Sequence, residues 1–234
     1  MSARPPEHRE GFTDLVAHGM PVRAGFRLIP GEWLAGGPVE LEFVLDNLGA
    51  LPLYLAVGGD RMRQRPGQFS FAARFDGHGL PDPMAALPDA GGPIGIVEIS
   101  SASPWRQRLV LNQFVSLEDT PQRLQPGAAG RLDLSCRRPI VLAVTQAAAL
   151  TGDASPALVI ALAIDLRRDD KALAALAADL SDAITRGAPA ERAPALERLL
   201  AMRSAARAQL DGLTRDPDPS VAARALQTVQ AMKR

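Results

Sequence analysis

The stretch VELEFVLDNLGALPLYLAV, Val39 to Val57, decides the fold. Val39, Leu41, Phe43 and Leu45 alternate with Glu40, Glu42 and Asp46. After a break rich in Asn, Gly and Pro, Leu53, Leu55 and Val57 resume the alternation. A period of two puts one set of side chains on each face of an extended chain, so each half is a strand with one dry and one wet face. Such strands belong to a half-buried antiparallel sheet, one face inward and one face wet.

The same period recurs outward from this pair. FSFAARF places Phe69, Phe71, Ala73 and Phe75 on one face, and RLDLSCRR turns Leu132, Leu134 and Cys136 inward against Arg131, Asp133, Ser135 and Arg137. LVIALAIDLRR gives Leu158, Ile160, Leu162, Ile164 and Leu166, and VRAGFRLIP adds a strand at the start. IGIVEIS and RLVLNQFVSL slip phase partway, and a bulge in each restores the inward face. About eight strands separated by Gly/Pro/Asp/Asn turns predict a β-sandwich over residues 21–168, preceded by an N-terminal extension, 1–20.

From Asp169 the period changes to 3.6. DDKALAALAADLSDAITRG lines up Leu173, Leu176, Ala177, Leu180 and Ile184, with Asp169 or Asp170 as N-cap and Gly187 as the stop. APALERLLAMRSAARAQLDG is read as a second helix with Pro194 in its first turn. DPDPSVAARALQTVQAMKR is a third, capped by Asp218 and started by Pro219. Residues 169–234 are therefore a helical segment.

Two resemblances add to this reading. Asn47, Gly49, Pro52 and Leu53 stand at the positions of the N-x-G-x-x-P-L turn signature, and the segment resembles bacterial immunoglobulin-like domains. The resemblance implies an all-β immunoglobulin-like sandwich and, since that fold hosts adhesion, inhibition and assembly alike, no particular activity. Asp216, Pro217, Asp218, Pro219 and Val221 resemble the acidic-proline entry of a HEAT-type repeat. Ala222 and Ala223 stand before Arg224, where that family carries a basic residue directly after the Val. Three helices make about one and a half such units, fewer than a solenoid needs to bury itself.

Composition excludes several functions. The chain has a formal net charge of zero, so it lacks the basic excess that draws a protein to phosphate backbones or anionic lipid. With seven Phe, two Trp and one Tyr, a stacking platform for single strands is not expected either. Nucleic acid is therefore not an expected partner. No apolar run is long enough to insert in a membrane, and the first twenty residues hold no leader-type apolar core. The expected compartment is the cytoplasm, or the periplasm for a chain whose leader has been removed. Lysine occurs only at 171 and 233, so arginine is the default cation. With the abundance of Ala, Gly and Pro, this points to a GC-rich bacterial coding sequence.

Candidate chemistry is sparse. Asp76, His78 and Asp82 in RFDGHGLPDP could hold a metal or pass a proton, although Asp-Gly is also ordinary turn composition. Cys136 falls on the inward phase, where a thiol is a small hydrophobe rather than a nucleophile. The Gly-rich stretches 35–38 and 90–95 lack a phosphate-loop pattern, and no catalytic motif is present, so no cofactor is expected. Binding features remain. VGGDRMRQRPGQF carries Arg61, Arg63 and Arg65 at alternate positions, readable as a solvated sheet edge or a contact for an acidic partner. Trp105 with Arg106 beside it is either a lid on the core or an interface anchor. The expectation is a non-catalytic interaction or assembly module for a protein partner or a second copy of itself. The alternative is a small-ligand or metal-binding domain, enzymatic or not, centred on the 76–82 loop.

Overall fold

The computed structural model describes residues 9–60, 65–86, 91–151 and 157–232. Twelve strands run in order: β1 (Glu10–Ala17), β2 (Met20–Leu28), β3 (Glu40–Asn47), β4 (Leu53–Asp60), β5 (Arg65–Pro66), β6 (Ser70–Phe75), β7 (His78–Leu80), β8 (Gly91–Ile99), β9 (Trp105–Val110), β10 (Ala129–Arg138), β11 (Leu142–Ala143) and β12 (Leu158–Arg167). They form three antiparallel sheets. The first has the order β1-β2-β3-β9 and the second β12-β10-β6-β7. The third has the order β11-β4-β5, with β8 also paired to β4.

The chain divides into two compact units. One comprises Met1–Pro30, Glu40–Val115 and Arg131–Ile164; the other comprises Gly31–Val39, Ser116–Gly130 and Asp165–Arg234. The core of the first unit follows the alternation read from the sequence. Val22, Ala24, Phe26 and Leu28 of β2, Leu41, Phe43 and Leu45 of β3, and Leu132, Leu134 and Cys136 of β10 are all buried. Rings join the first two sheets. Phe26 packs edge-on against Phe69 and Phe71, both at 6.0 Å, and Phe43 meets Phe69 at 5.5 Å. Such edge-to-face contacts suit the positive rim and negative face of each ring.

Residues 10–17, part of the expected extension, are instead a strand. β1 pairs with β2 from Glu10↔Arg27 to Ala17↔Met20, and its residues are exposed or half-buried, none fully buried. That exposure explains why no apolar pattern marked it. His18 and Gly19 both have positive φ (51° and 77°) and make the tight turn between them. A two-residue turn of this hand matches the twist of the strands it joins.

The expected bulge in RLVLNQFVSL does not occur. β9 ends at Val110, and a 3₁₀ turn over Leu111–Gln113 follows, burying Leu111, Phe114 and Val115. Three-residue spacing, not an inserted residue, accounts for the phase change. IGIVEIS itself pairs in unbroken register with β4, from Gly58↔Ile94 to Leu53↔Ile99; the shift lies just before it, where Gly91 to Ile94 of β8 takes three steps against two from Asp60 to Gly58 of β4.

The second unit holds helices α2 (Asp170–Arg186), α3 (Pro189–Met202), α4 (Arg207–Leu213) and α5 (Pro219–Ala231); the short α1 (Gln146–Thr151) belongs to the first. Asp169 caps α2 by accepting from the Ala172 amide at 2.9 Å. Asp218 caps α5 through Ser220, whose hydroxyl and amide hold the Asp218 carboxyl below its ordinary range. The segment read as one helix from Ala193 is two. α3 starts earlier, at Pro189, which leaves Pro194 inside the helix rather than in its first turn. Arg203, at φ 48°, then breaks the path before α4.

Leu173, Ala177, Leu180 and Ile184 of α2 share one core with Leu196 and Leu199 of α3, Leu210 of α4, Val221 and Val229 of α5, and Leu34. Gly36, at φ 79°, donates to the Thr120 hydroxyl at 3.0 Å, and a Cβ there would stand 2.9 Å from Pro121. Segments 31–39 and 116–130 thus fold with the helices. Their partners are some forty to a hundred and thirty residues away in sequence, which no local pattern signals.

Candidate partner-binding edge and its buried arginine

Among the described residues β9 pairs only with β3, from Leu45↔Trp105 to Glu40↔Val110, and so forms one edge of the first sheet. An open edge offers a row of backbone donors and acceptors to another chain. Arg106 and Arg108 point to the outer face and are exposed, while Trp105, Gln107 and Leu109 take the opposite phase. Arg106 comes within 3.5 Å of Glu42, which also accepts from Arg27 Nε at 2.8 Å. Glu42 is 8% exposed, its carboxylate covered by the two arginines across three strands.

On the inner face, Trp105 is half-buried and its ring lies 5.6 Å from Phe43. Beside both is a side chain that sequence reasoning passed over. Arg138 ends the inward series Leu132, Leu134, Cys136 on β10 and is fully buried. Its guanidinium carbon lies 4.8 Å from the Phe43 ring centroid and 5.0 Å from those of Phe69 and Trp105. Nη1 donates to the Pro139 carbonyl at 3.2 Å; among the described residues Nε and Nη2 have no hydrogen-bond partner. Burial lowers the Arg138 pKa to about 10, so the group still carries its charge at neutral pH. The signal was present: Arg138 occupies a core phase of the alternation, and a cation there departs from the pattern.

Arg61 and Arg63 lie outside the described residues. Arg65 is not solvated. It sets Nη1 and Nη2 on the two carboxylate oxygens of Asp82 at 2.9 and 2.8 Å, and Nη1 also donates to the Gln113 carbonyl at 2.7 Å. The guanidinium stacks 4.8 Å over Phe114, and the side chain is 8% exposed. A planar fork on a planar carboxylate, with a ring beneath, ties the 65–66 segment to the 80–84 turn.

Asp82 is therefore engaged by Arg65. Asp76 (φ 47°) and Gly77 (φ 82°) form the β6–β7 turn, and the Asp76 carboxylate accepts from the Arg131 amide at 2.7 Å. His78 opens β7 and is exposed. The three are not brought together, and no group of three or more His, Cys, Asp or Glu placed to hold a metal occurs among the described residues. Cys136 is fully buried, and desolvation pushes its pKa up to about 12.

Asn47 gives the turn its shape. Its Nδ2 donates to the carbonyls of Leu51 (2.7 Å) and Ile99 (3.0 Å), and its Oδ1 accepts from the Gly49 amide (2.9 Å). A Cβ on Gly49 would stand 3.1 Å from Met20.

No protein-family model and no curated protein matches the sequence. The fold itself defines the class: a β-rich protein of three antiparallel sheets with a C-terminal group of four helices. No described helix is long and apolar enough to cross a membrane.

Proposed function

We propose that this chain is a non-catalytic protein-binding module, built as an immunoglobulin-like sandwich followed by a HEAT-like helical segment, and that it takes its partner along the β9 edge. Ring packing between the first two sheets and the Asn47 turn support the first likeness. The Asp218–Pro219 cap supports the second, as does the Arg224–Glu197 pair linking α5 to α3. The observation that carries the functional reading is the composition of β9. An edge strand with two exposed arginines and a half-buried tryptophan combines a backbone template with residue types enriched in binding hot spots.

The helical stripe is buried within its own unit, so the tail offers less apolar surface than its sequence suggested. The partner is another protein or a second copy. Light scattering at micromolar concentration reports self-association, and affinity capture with the full chain reports a heterologous partner. The double variant Trp105→Ala, Arg106→Glu is expected to abolish whichever contact exists. A wild-type chain that stays monomeric and captures nothing overturns the reading. So does a contact that the double variant leaves intact.

A further inference from the structure

Resting on the β9 reading, we infer that Arg138 is the receptor for a carboxylate side chain of an acidic, extended partner segment laid along β9, with Trp105 as its gate. Arginines elsewhere in the chain show what Arg138 lacks. Arg168 sets Nε and Nη2 on the two oxygens of Asp170 at 3.1 and 3.0 Å, and Arg27 turns the same pair of nitrogens to Glu42. In Arg138 these two nitrogens, the side-on fork that fits a carboxylate, are the unpartnered ones, while Nη1 is already held by Pro139.

Fully buried polar nitrogens are otherwise almost always paired, because an unmade bond in a dry site forfeits hydration without replacement. The rings of Phe43, Phe69 and Trp105 stabilise the cation through their faces but accept no in-plane hydrogen bond. Among the described residues no carboxylate pairs with the fork.

The direction of approach follows from burial. Phe43 and Phe69 are 0% and 4% exposed, whereas Trp105 is half-buried at the start of the edge strand. Trp105 is thus the wall of the cage nearest solvent. A ring turned outward there opens the fork to the edge where a partner strand would pair. Arg106 and Arg108, exposed on the outer face of the same edge strand, favour an acidic segment over a neutral one. Planar fork-to-fork geometry between ring faces selects a carboxylate.

The test uses the full chain and two capped peptides, acetyl-Val-Glu-Val-Glu-Val-amide and its Gln counterpart. The readout is the Arg138 Nε–H resonance, assigned by its loss in Arg138→Met, together with the Trp105 indole resonance. The Glu peptide is expected to shift both signals, and the Gln peptide neither. Arg138→Met is expected to weaken binding about tenfold or more, the loss of one charge-assisted bond pair. An unmoved Nε–H signal on saturation with the Glu peptide overturns the inference, whatever any variant does. So does equal affinity of Arg138→Met, which leaves the β9 edge standing through Arg106 and Arg108. Acetate binding as tightly as the peptide would show a free small acid rather than a strand as ligand, and overturns the partner-segment assignment. Peptide binding through Arg138 in a chain that captures no protein would uphold the carboxylate site and refute the module.

Discussion

Replacing Arg138 with Met tests whether a buried guanidinium without a counter-ion is a cost that the fold carries. Two unpaired nitrogens, Nε and Nη2, each cost about 1–3 kcal/mol in a dry site. Against them stand three ring faces at 4.8–5.0 Å, worth about 0.5–2 kcal/mol each when desolvated. The one bond to Pro139, at 3.2 Å, adds about 1.5 kcal/mol. The opposing terms nearly cancel. Methionine keeps much of the volume and leaves no donor unsatisfied, so the variant is expected to equal the wild type or exceed it by up to about 3 kcal/mol. Equilibrium urea unfolding followed by circular dichroism measures this, with an unchanged slope showing that the compactness of both states is preserved. Arg138→Ala is the control for shape: it removes the same charge but leaves a hole, and should fall about 2–4 kcal/mol below the Met variant. A Met variant that loses more than about 2 kcal/mol at unchanged slope would show the guanidinium to be net stabilising, and would refute the reasoning.

Asn47→Ala removes two donated bonds and one accepted bond and should cost about 2–4 kcal/mol in the same urea assay. For Cys136, the folded thiol is held protonated up to about pH 12, whereas an unfolded thiol ionises near about pH 8.5. The unfolded state therefore binds fewer protons above that pH, and stability is full below it and falls as pH rises toward 12. Arg138 has the opposite sign: its folded pKa of about 10 lies below the unfolded value, so its contribution rises above pH 10. The Cys136 slope, about 1.4 kcal/mol per pH unit, is best measured in Arg138→Met and should vanish in Arg138→Met, Cys136→Ala.

Sequence reasoning read well wherever the cause is local. Alternation in 39–45 and 132–136 placed the core faces, because side-chain direction in a strand depends only on phase. Asp169 and Asp218 were legible as caps because a cap and the amide it serves are two or three residues apart. Where a segment's burial is weak, as in β1, or where a helix is broken by one unusual residue, as at Arg203, the pattern gives no warning.

Strand period, turn chemistry and helix caps were thus determined by the sequence alone, since each is settled within a few residues of backbone. Tertiary structure decided the partners of the arginines. In a chain whose cations are nearly all Arg, Arg65, Arg106 and Arg138 look alike as letters. One is clamped to Asp82, one rests at the surface beside Glu42, and one is enclosed by three rings. Which of these befalls a guanidinium depends on side chains up to about ninety-five residues away, brought near by sheet packing, and on how much water that packing leaves.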